Sequence, residues 1–309
     1  MNYKVYLNDT GISKNGKKYH FNDTKQQVKD QVVLARLDKI YTPPAWRNVW
    51  YASNPKCHIQ AHGIDAGGKK QYILSEKWKL NARFEKYNRM KRFIKHIKSF
   101  KRRIKLGNYE DSREFLIKLL FNLLIDLHIR VGNEIYASSN KTYGLTTLRQ
   151  RHLIKSGNVY NINFTGKSHI KHSIAVPERY NVYFNHLKKD NSDNSLFFYN
   201  KDKTIDSEDL NEYLKRYMGN EYTCKDFRTY SANILFIHAF LKNARNGGIK
   251  KNVKSLILEC IDSTAQQLGH SRNISRKSYI SNTLLDYCSE FFDSASSSTV
   301  DELVEHVSN

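Results

Sequence analysis

Residues 77–105 read K-W-K-L-N-A-R-F-E-K-Y-N-R-M-K-R-F-I-K-H-I-K-S-F-K-R-R-I-K. Within them Leu80, Phe84, Tyr87, Met90, Ile94 and Ile97 recur at steps of three and four, which is one face of an α-helix. Nothing before this stretch has that period. The earlier residues hold short β-prone runs, Val5-Tyr6-Leu7, Val32-Val33-Leu34, Val49-Trp50-Tyr51 and His58-Ile59-Gln60-Ala61, separated by Asn, Asp, Gly or Pro. The pair Gly67-Gly68, between Gly63-Ile64-Asp65 and Gln71-Tyr72-Ile73, suits a hairpin turn. The change of pattern predicts an α+β chain. A small, mainly antiparallel β domain over 1–78 precedes a larger, mainly α-helical domain over 79–309.

Beyond the basic stretch, Asp111 and Glu114 are spaced as an N-terminal capping pair for a second helix through Leu116, Leu119, Leu120, Leu123 and Leu127. Arg130 follows at its C-terminal end, with Gly132 as the expected stop. A hairpin is expected from Val159-Tyr160-Asn161-Ile162-Asn163-Phe164, the turn Thr165-Gly166-Lys167, and a return strand over 168–176. Helical signals fill the rest up to a Ser-rich joint at 294–298. Val300, Leu303, Val304 and Val307 then suit a short amphipathic helix.

The 309 residues carry a net charge of +21, from 51 Lys and Arg against 30 Asp and Glu. A folded chain so positive favours a polyanionic partner, nucleic acid before an acidic membrane surface. Residues 77–105 alone hold thirteen Lys and Arg against the single acid Glu85, an imbalance expected to face phosphates. With 39% hydrophobic residues, 20 Tyr and 15 Phe, the chain has the means to fold. The most apolar run, 115–127, is interrupted by Lys118, Asn122 and Asp126, so no membrane span is expected. The first residues lack the apolar core of a secretion signal. Cys57, Cys224, Cys260 and Cys288 are scattered without a C-x-x-C pair, which predicts reduced thiols and neither a disulfide framework nor a zinc site.

No phosphate-binding loop, H-E-x-x-H motif or carboxylate cluster at metal spacing is present, so no cofactor and no metal is expected. Cleaving a phosphodiester on such terms needs cationic side chains for the transition-state oxygens, a proton donor for the leaving oxygen, and a side-chain nucleophile. Three segments could supply them. Lys225-Asp226-Phe227-Arg228-Thr229-Tyr230 comes just before an expected helix. Gln267-Leu268-Gly269-His270-Ser271 is followed, nine residues after His270, by Tyr279. Arg130 stands after its leucine-rich helix.

The L-G-H segment with a Tyr nine residues on, preceded by K-x-x-R and an earlier Arg, resembles the catalytic domain shared by type IB DNA topoisomerases and tyrosine recombinases. Recombinases usually carry His at the position of Lys225 and often a further His at that of Ser281. The N-terminal P-P-A-W (residues 43–46), H-I-Q-A-H-G (58–63) and G-K-K-Q-Y (68–72) resemble the DNA-clamping domain of poxvirus, mimivirus and bacterial type IB topoisomerases. Arg130-Val131-Gly132, Tyr143-Gly144-Leu145-Thr146-Thr147-Leu148 and Phe164-Thr165-Gly166-Lys167 match in order, so the likeness runs along nearly the whole chain.

The resemblance implies a fold, a reaction and a set of residues. Residues 1–78 would form the clamping domain and 79–309 the catalytic one. Tyr279 would attack the scissile phosphate and hold the DNA 3′ phosphate, releasing a 5′ hydroxyl. Lys167 would protonate the leaving 5′ oxygen. Arg130 and Arg228 would clamp the non-bridging oxygens, and His270 would donate a hydrogen bond to one of them. Lys69, Gln71 and Tyr72 resemble a strand placed in the major groove, where Lys and Gln can read guanine and adenine edges. Tyr136 resembles a phosphate-contacting residue. Leu74 departs from vertebrate poxvirus enzymes, which tend to carry an aromatic there. The expected partner is double-stranded DNA, held by a monomer that closes as a clamp. The Lys- and Asn-rich composition points to an AT-rich viral genome, hence to virion and host cytoplasm. A tyrosine recombinase and a non-catalytic DNA-binding protein of the same fold are the alternatives.

Overall fold

The computed structural model describes residues 9–190, 192–245 and 252–307. The chain divides into two compact units, Met1–Lys86 and Tyr87–Asn309.

The first unit is built on a five-stranded antiparallel sheet of order β2-β1-β3-β4-β5, with β1 Ile12–Asn15, β2 Lys18–Phe21, β3 Arg47–Tyr51, β4 Ile59–Ile64 and β5 Lys70–Leu74. Ile12, Tyr19, Val28, Leu37, Tyr51 and Ala61 form its core. The expected hairpin is β4–β5, in which Ile64 pairs with Lys70. Val5-Tyr6-Leu7 lies outside the described residues. Val32-Val33-Leu34, expected as a strand, instead lies in helix α1 (Gln31–Asp38). The cause is local: the Asp30 carboxylate accepts the amides of Val32 (2.8 Å) and Val33 (3.2 Å), which caps a helix. Arg36 then bonds the carbonyl of Ala52 (2.6 Å) and Gln60 Oε1 (3.1 Å), fixing α1 to the sheet.

The long basic stretch is helix α2 (Glu76–Arg103), and the boundary between the units falls within it. Its buried side chains are Met90, Phe93, Ile97 and Phe100, whereas Leu80 and Phe84 from the expected stripe are 61% and 66% exposed. The stripe therefore carries the helix only in its second half, where Phe93 and Phe100 were not anticipated. The basic face is also less available than its composition implies. Lys79 pairs with Glu76 (2.7 Å), Arg89 with Asp226 (3.1 Å), Arg92 with Glu221 (2.8 Å) and Lys98 with Asp301 (3.1 Å). The chain's own acids thus offset part of a repulsion expected to need DNA.

The second unit surrounds two buried helices, α3 (Arg113–Asp126) and α7 (Cys224–Arg245). Between them in the chain lie α4 (Glu134–Asn140), β6 (Leu153–Ser156), β7 (Val159–Thr165), β8 (Lys171–Ala175), α5 (Asn181–Leu187) and α6 (Ser207–Met218). The three strands form an antiparallel sheet of order β6-β7-β8. After α7 come α8 (Val253–Leu268), α9 (Arg272–Ser278), α10 (Asn282–Glu290), α11 (Phe292–Ser297) and α12 (Val300–Glu305). Among the described residues no helix is long and apolar enough to cross a membrane. All four cysteines are buried free thiols.

Local chemistry moved several expected boundaries. The cap of α3 is Ser112, whose hydroxyl accepts from Phe115 N (3.2 Å), while Asp111 accepts from Asn200 N (2.8 Å). The helix stops at Leu127 and His128, the latter left-handed at φ +54°, rather than at Gly132. Lys225 to Tyr230 are not ahead of a helix but within the first turns of α7, where Asp226 accepts from Thr223 N (2.9 Å). The Ser-rich joint is largely helix α11, within which the Ser296 and Ser297 hydroxyls bond the carbonyl of Asp293 (2.9 and 3.0 Å).

What the end of α3 releases is a loop, 128–133, pressed against residues 143–147. Leu145 N bonds the carbonyl of Arg130 and Thr146 N that of Val131, each at 2.7 Å. A Cβ on Gly144 would sit 2.6 Å from Arg130 O and from Gly132 Cα, so only glycine permits the two backbones to approach. Gly144→Ala should therefore lower stability by about 1–3 kcal/mol, read as a lower urea midpoint at unchanged slope. An unchanged midpoint would contradict the close contact.

Candidate active site

Arg130 is carried by that loop and Arg228 by the second turn of α7. Arg228 is only 9% exposed. Its neighbour Phe227 meets Phe93 edge-on (5.0 Å between ring centres), and Phe100 meets Phe121 in the same way (5.0 Å), which ties α7 to α2 and α3. The Arg228 guanidinium donates to the carbonyls of His128 and Leu268, at the C-terminal ends of α3 and α8. Helix C-termini are the natural place for a buried cation, since their carbonyls carry partial negative charge. Its Nε is buried with no partner among the described residues, a donor left over in the free protein.

His270 follows the C-cap of α8, where Gly269 turns left-handed and His270 N bonds back to Ala265 O (2.8 Å). The imidazole collects both arginines: Arg130 lies 2.9 Å and Arg228 3.2 Å from its Nε2. Tyr279 stacks on the same ring, with centroids 4.5 Å apart and planes at 22°. Lys167, exposed at the tip between β7 and β8, borders a cleft with Arg130, Arg228 and Gly269. Among the described residues no Asp or Glu lines that cleft. The five predicted catalytic residues therefore meet, from four separated segments. Glu134, four positions on from Arg130, pairs with Arg149.

A guanidinium can only donate, so an Nε2 facing two of them must be the accepting nitrogen of a neutral ring. The ionisation agrees. Burial first, then Arg228, Arg130 and Lys167, push the His270 pKa down to about 3. The proton then sits on Nδ1, which faces the buried hydroxyl of Ser275 at 3.5 Å. Burial, and then Arg130, likewise lower the pKa of Arg228, while Tyr279 opposes the shift.

The residues that hold Tyr279 in place carry no motif and were not anticipated. The side-chain amide of Asn233, only 1% exposed, donates to Tyr279 O (3.1 Å) and its oxygen accepts from Ser281 N (2.8 Å). The Tyr87 hydroxyl donates to Ile280 O (2.9 Å). The one sequence signal was a lone Asn in the apolar run Ala232-Asn233-Ile234-Leu235-Phe236. His172 was also missed; it lines the cleft beside Lys167.

The residues expected to contact DNA are carried by other elements. Lys69, Gln71 and Tyr72 belong to the first unit, in and after the β4–β5 turn. Alternation along β5 puts Tyr72 on the opposite sheet face from Gln71. Tyr72 is 49% exposed beside His62 (6.1 Å), which itself stacks on Trp50 (5.0 Å). The Gln71 amide is already bonded to Asp65 Oδ2 (2.7 Å). Tyr136 lies in α4 and is 48% exposed. Among the described residues no group of three or more His, Cys, Asp or Glu converges as a metal ion requires.

Comparison with known proteins bears on the same residues. Residues 75–298 match the family model described as the catalytic core of eukaryotic DNA topoisomerase I. The chain belongs to the type IB DNA topoisomerases. Residues 18–65 match a second family model, the N-terminal domain of bacterial DNA topoisomerase IB. DNA topoisomerase 1B of Acanthamoeba polyphaga mimivirus is 35% identical over 284 residues, covering 87% of this chain and 83% of the relative. DNA topoisomerase 1B of vaccinia virus (strain Copenhagen) is 30% identical, covering 79% of each chain. DNA topoisomerase 1 of rabbit fibroma virus is 26% identical, covering 80% of this chain and 78% of the relative. These matches favour the topoisomerase over the recombinase alternative.

As a type IB topoisomerase the protein has an acid-sensitive centre. His270 is pushed down to about 3, and His128 and His152 to about 4, chiefly by burial, against an ordinary 6.5. The unfolded chain therefore takes up protons that the folded chain refuses. The stabilising contribution is complete above pH 6.5 and is lost as pH falls toward the folded values. His270→Gln should flatten the decline of the urea midpoint between about pH 6.5 and 5. A decline as steep as in the native protein would contradict the depressed ionisation.

Proposed function

We propose that this chain relaxes supercoiled DNA by breaking one strand onto Tyr279 and resealing it, with neither nucleotide nor metal in the chemical step. The observation that carries the reading is the meeting of Arg130 and Arg228 on His270 against the ring of Tyr279.

In the proposed step the Tyr279 oxygen attacks the scissile phosphorus and its proton passes to solvent. The bond from phosphorus to the 5′ oxygen breaks as the Lys167 ammonium gives that oxygen a proton. The products are a 3′-phosphotyrosine and a 5′ hydroxyl. A tyrosine hydroxyl ordinarily ionises near pH ~10, so at neutral pH it gives up its proton as it attacks. Arg130 and Arg228 would leave His270 for the non-bridging oxygens, where guanidinium forks stabilise developing charge. His270 would then donate from Nε2, which requires its proton to move from Nδ1. The Ser275 hydroxyl, able to accept or to donate, suits both tautomers. Religation is the reverse, driven by the phosphoester energy retained in the tyrosine linkage. Rotation of the free strand between the two steps removes supercoils.

Lys141, Arg151, His152 and Lys171 line a basic cleft that shares Tyr143, Phe164 and His172 with the catalytic one, a path for phosphates flanking the cleavage point. Tyr136 is assigned to the same backbone. Lys69, Gln71 and Tyr72 are assigned to the duplex on the side of the first unit, whose proposed role, over 1–78, is to close with the catalytic domain, 79–309, as a monomeric clamp. A large DNA virus is the proposed source, with virion and host cytoplasm as the sites of action.

The test is supercoiled plasmid in EDTA without ATP. The native protein should relax it and leave a covalent 3′ adduct on denaturation; Tyr279→Phe should do neither. No relaxation and no adduct by the native protein would overturn the proposal. Replacing Lys141 and Lys171 together by Ala should also reduce the slope of log affinity against log salt by about 2. An unaltered slope would remove that cleft from the DNA path.

A further inference from the structure

His172 occupies a position that packing alone does not account for. It stands on β8 opposite Phe164 of β7, and the two rings stack at 4.8 Å with planes at 13°. The edge of the imidazole lies against two glycines from different parts of the chain. A Cβ on Gly166 would be 2.8 Å from His172 Nε2, and one on Gly269 would be 2.8 Å from its Cε1. Real Cβ atoms do not come so close to a ring, so either substitution would push the ring away.

Those glycines immediately precede Lys167 and His270. Gly166 N closes the hairpin tip onto Ile170 O (2.7 Å), and within that tip Ser168 and His169 are left-handed at φ +62° and +57°. Lys167 thus rides on a short tip that faces the His270 turn through the His172 ring and, less closely, through Ile170, whose Cγ2 would lie 3.4 Å from the same Gly269 Cβ. The ring brings no charge of its own to a centre that already holds three cations. Burial, then Arg228 and Arg130, lower its pKa, so it is neutral at neutral pH.

We propose that His172 is a positioning residue for the proton donor, an uncharged spacer that sets the Lys167 tip against the His270 turn. This rests on the reading of Lys167 as the group that protonates the leaving 5′ oxygen. The spacer acts by volume and flatness, so a Phe ring should replace it and a methyl group should not. Its loss should affect the leaving-group step and leave attack by Tyr279 largely intact.

The experiment uses the full chain and a duplex whose cleavage site has first been mapped. Single-turnover cleavage is compared for normal DNA and for DNA with sulfur in place of the bridging 5′ oxygen. A thiolate leaves without being protonated, because thiols ionise near pH ~8.5, far below an alcohol. His172→Ala should cleave normal DNA on the order of 10- to 100-fold more slowly, the scale of a displaced catalytic group. It should cleave the sulfur-containing DNA within roughly threefold of the native rate, which also establishes that the variant is folded. His172→Phe should stay within roughly fivefold of native on both substrates. Lys167→Ala separates the two layers of the argument. If sulfur does not restore its rate, the proton-donor reading fails and the spacer falls with it. If sulfur restores Lys167→Ala but not His172→Ala, the spacer alone is overturned. It is equally overturned if His172→Ala is not slowed, or if His172→Phe is as slow as His172→Ala on normal DNA.

Discussion

Two guanidinium groups converge on one imidazole nitrogen, and most of the second unit is arranged to make that possible. Arg130 and Arg228 repel each other, and Lys167 adds a third positive charge nearby. The neutral His270 ring supplies a lone pair in a cleft that no Asp or Glu lines among the described residues. Beyond the ring, carbonyls at the ends of α3 and α8 accept from the two terminal nitrogens of Arg228, while its Nε has no partner among the described residues. Cations held together with no Asp or Glu lining their cleft among the described residues suit an anion with several acceptor oxygens. A phosphodiester has that form.

The scaffold follows from holding these groups still. The edge-on aromatic contacts of Phe93 with Phe227 and of Phe100 with Phe121 lock the start of α7 against α2 and α3. The glycine-to-glycine contact of residues 132 and 144 lets the loop carrying Arg130 bond residues 145 and 146 through its backbone, leaving the side chain free to face inward. Asn233 and Tyr87 hold the backbone from the Tyr279 carbonyl to the Ser281 amide, which fixes the chain at the nucleophile. Conformational freedom is removed in advance at each of these points, which is how a protein makes electrostatic stabilisation effective.

The elements with strong periodicity, α3 and the second half of α2, could be read directly, and so could the hairpins at Gly67-Gly68 and at 165–167. Errors arose where one side chain decides a backbone. Asp30 turns a β-prone Val-Val-Leu into a helix, and Ser112 rather than Asp111 caps α3. The expected Ser-rich joint is largely helix α11. Arg130, Arg228, His270 and Tyr279 are singled out by type and spacing and Lys167 by the family resemblance, and the structure brings the five together. His172 and Asn233 could not be read, because each acts through a contact that exists only once distant segments are packed. The thirteen-to-one charge imbalance of residues 77–105 was visible, yet its partial neutralisation by Asp226, Glu221 and Asp301 was not, since those acids lie far along the chain.

In the proposed reaction His270 waits as an acceptor for two arginines and becomes a donor when phosphate takes their place. Nitrogen-15 NMR of the histidines tests this most directly, in the free protein and in the Tyr279→Phe protein bound to uncleaved duplex at neutral pH. The account predicts a neutral His270 in both states, with its proton on Nδ1 when free and on Nε2 when bound. The same tautomer in both states, or an imidazolium in the free protein, would contradict it.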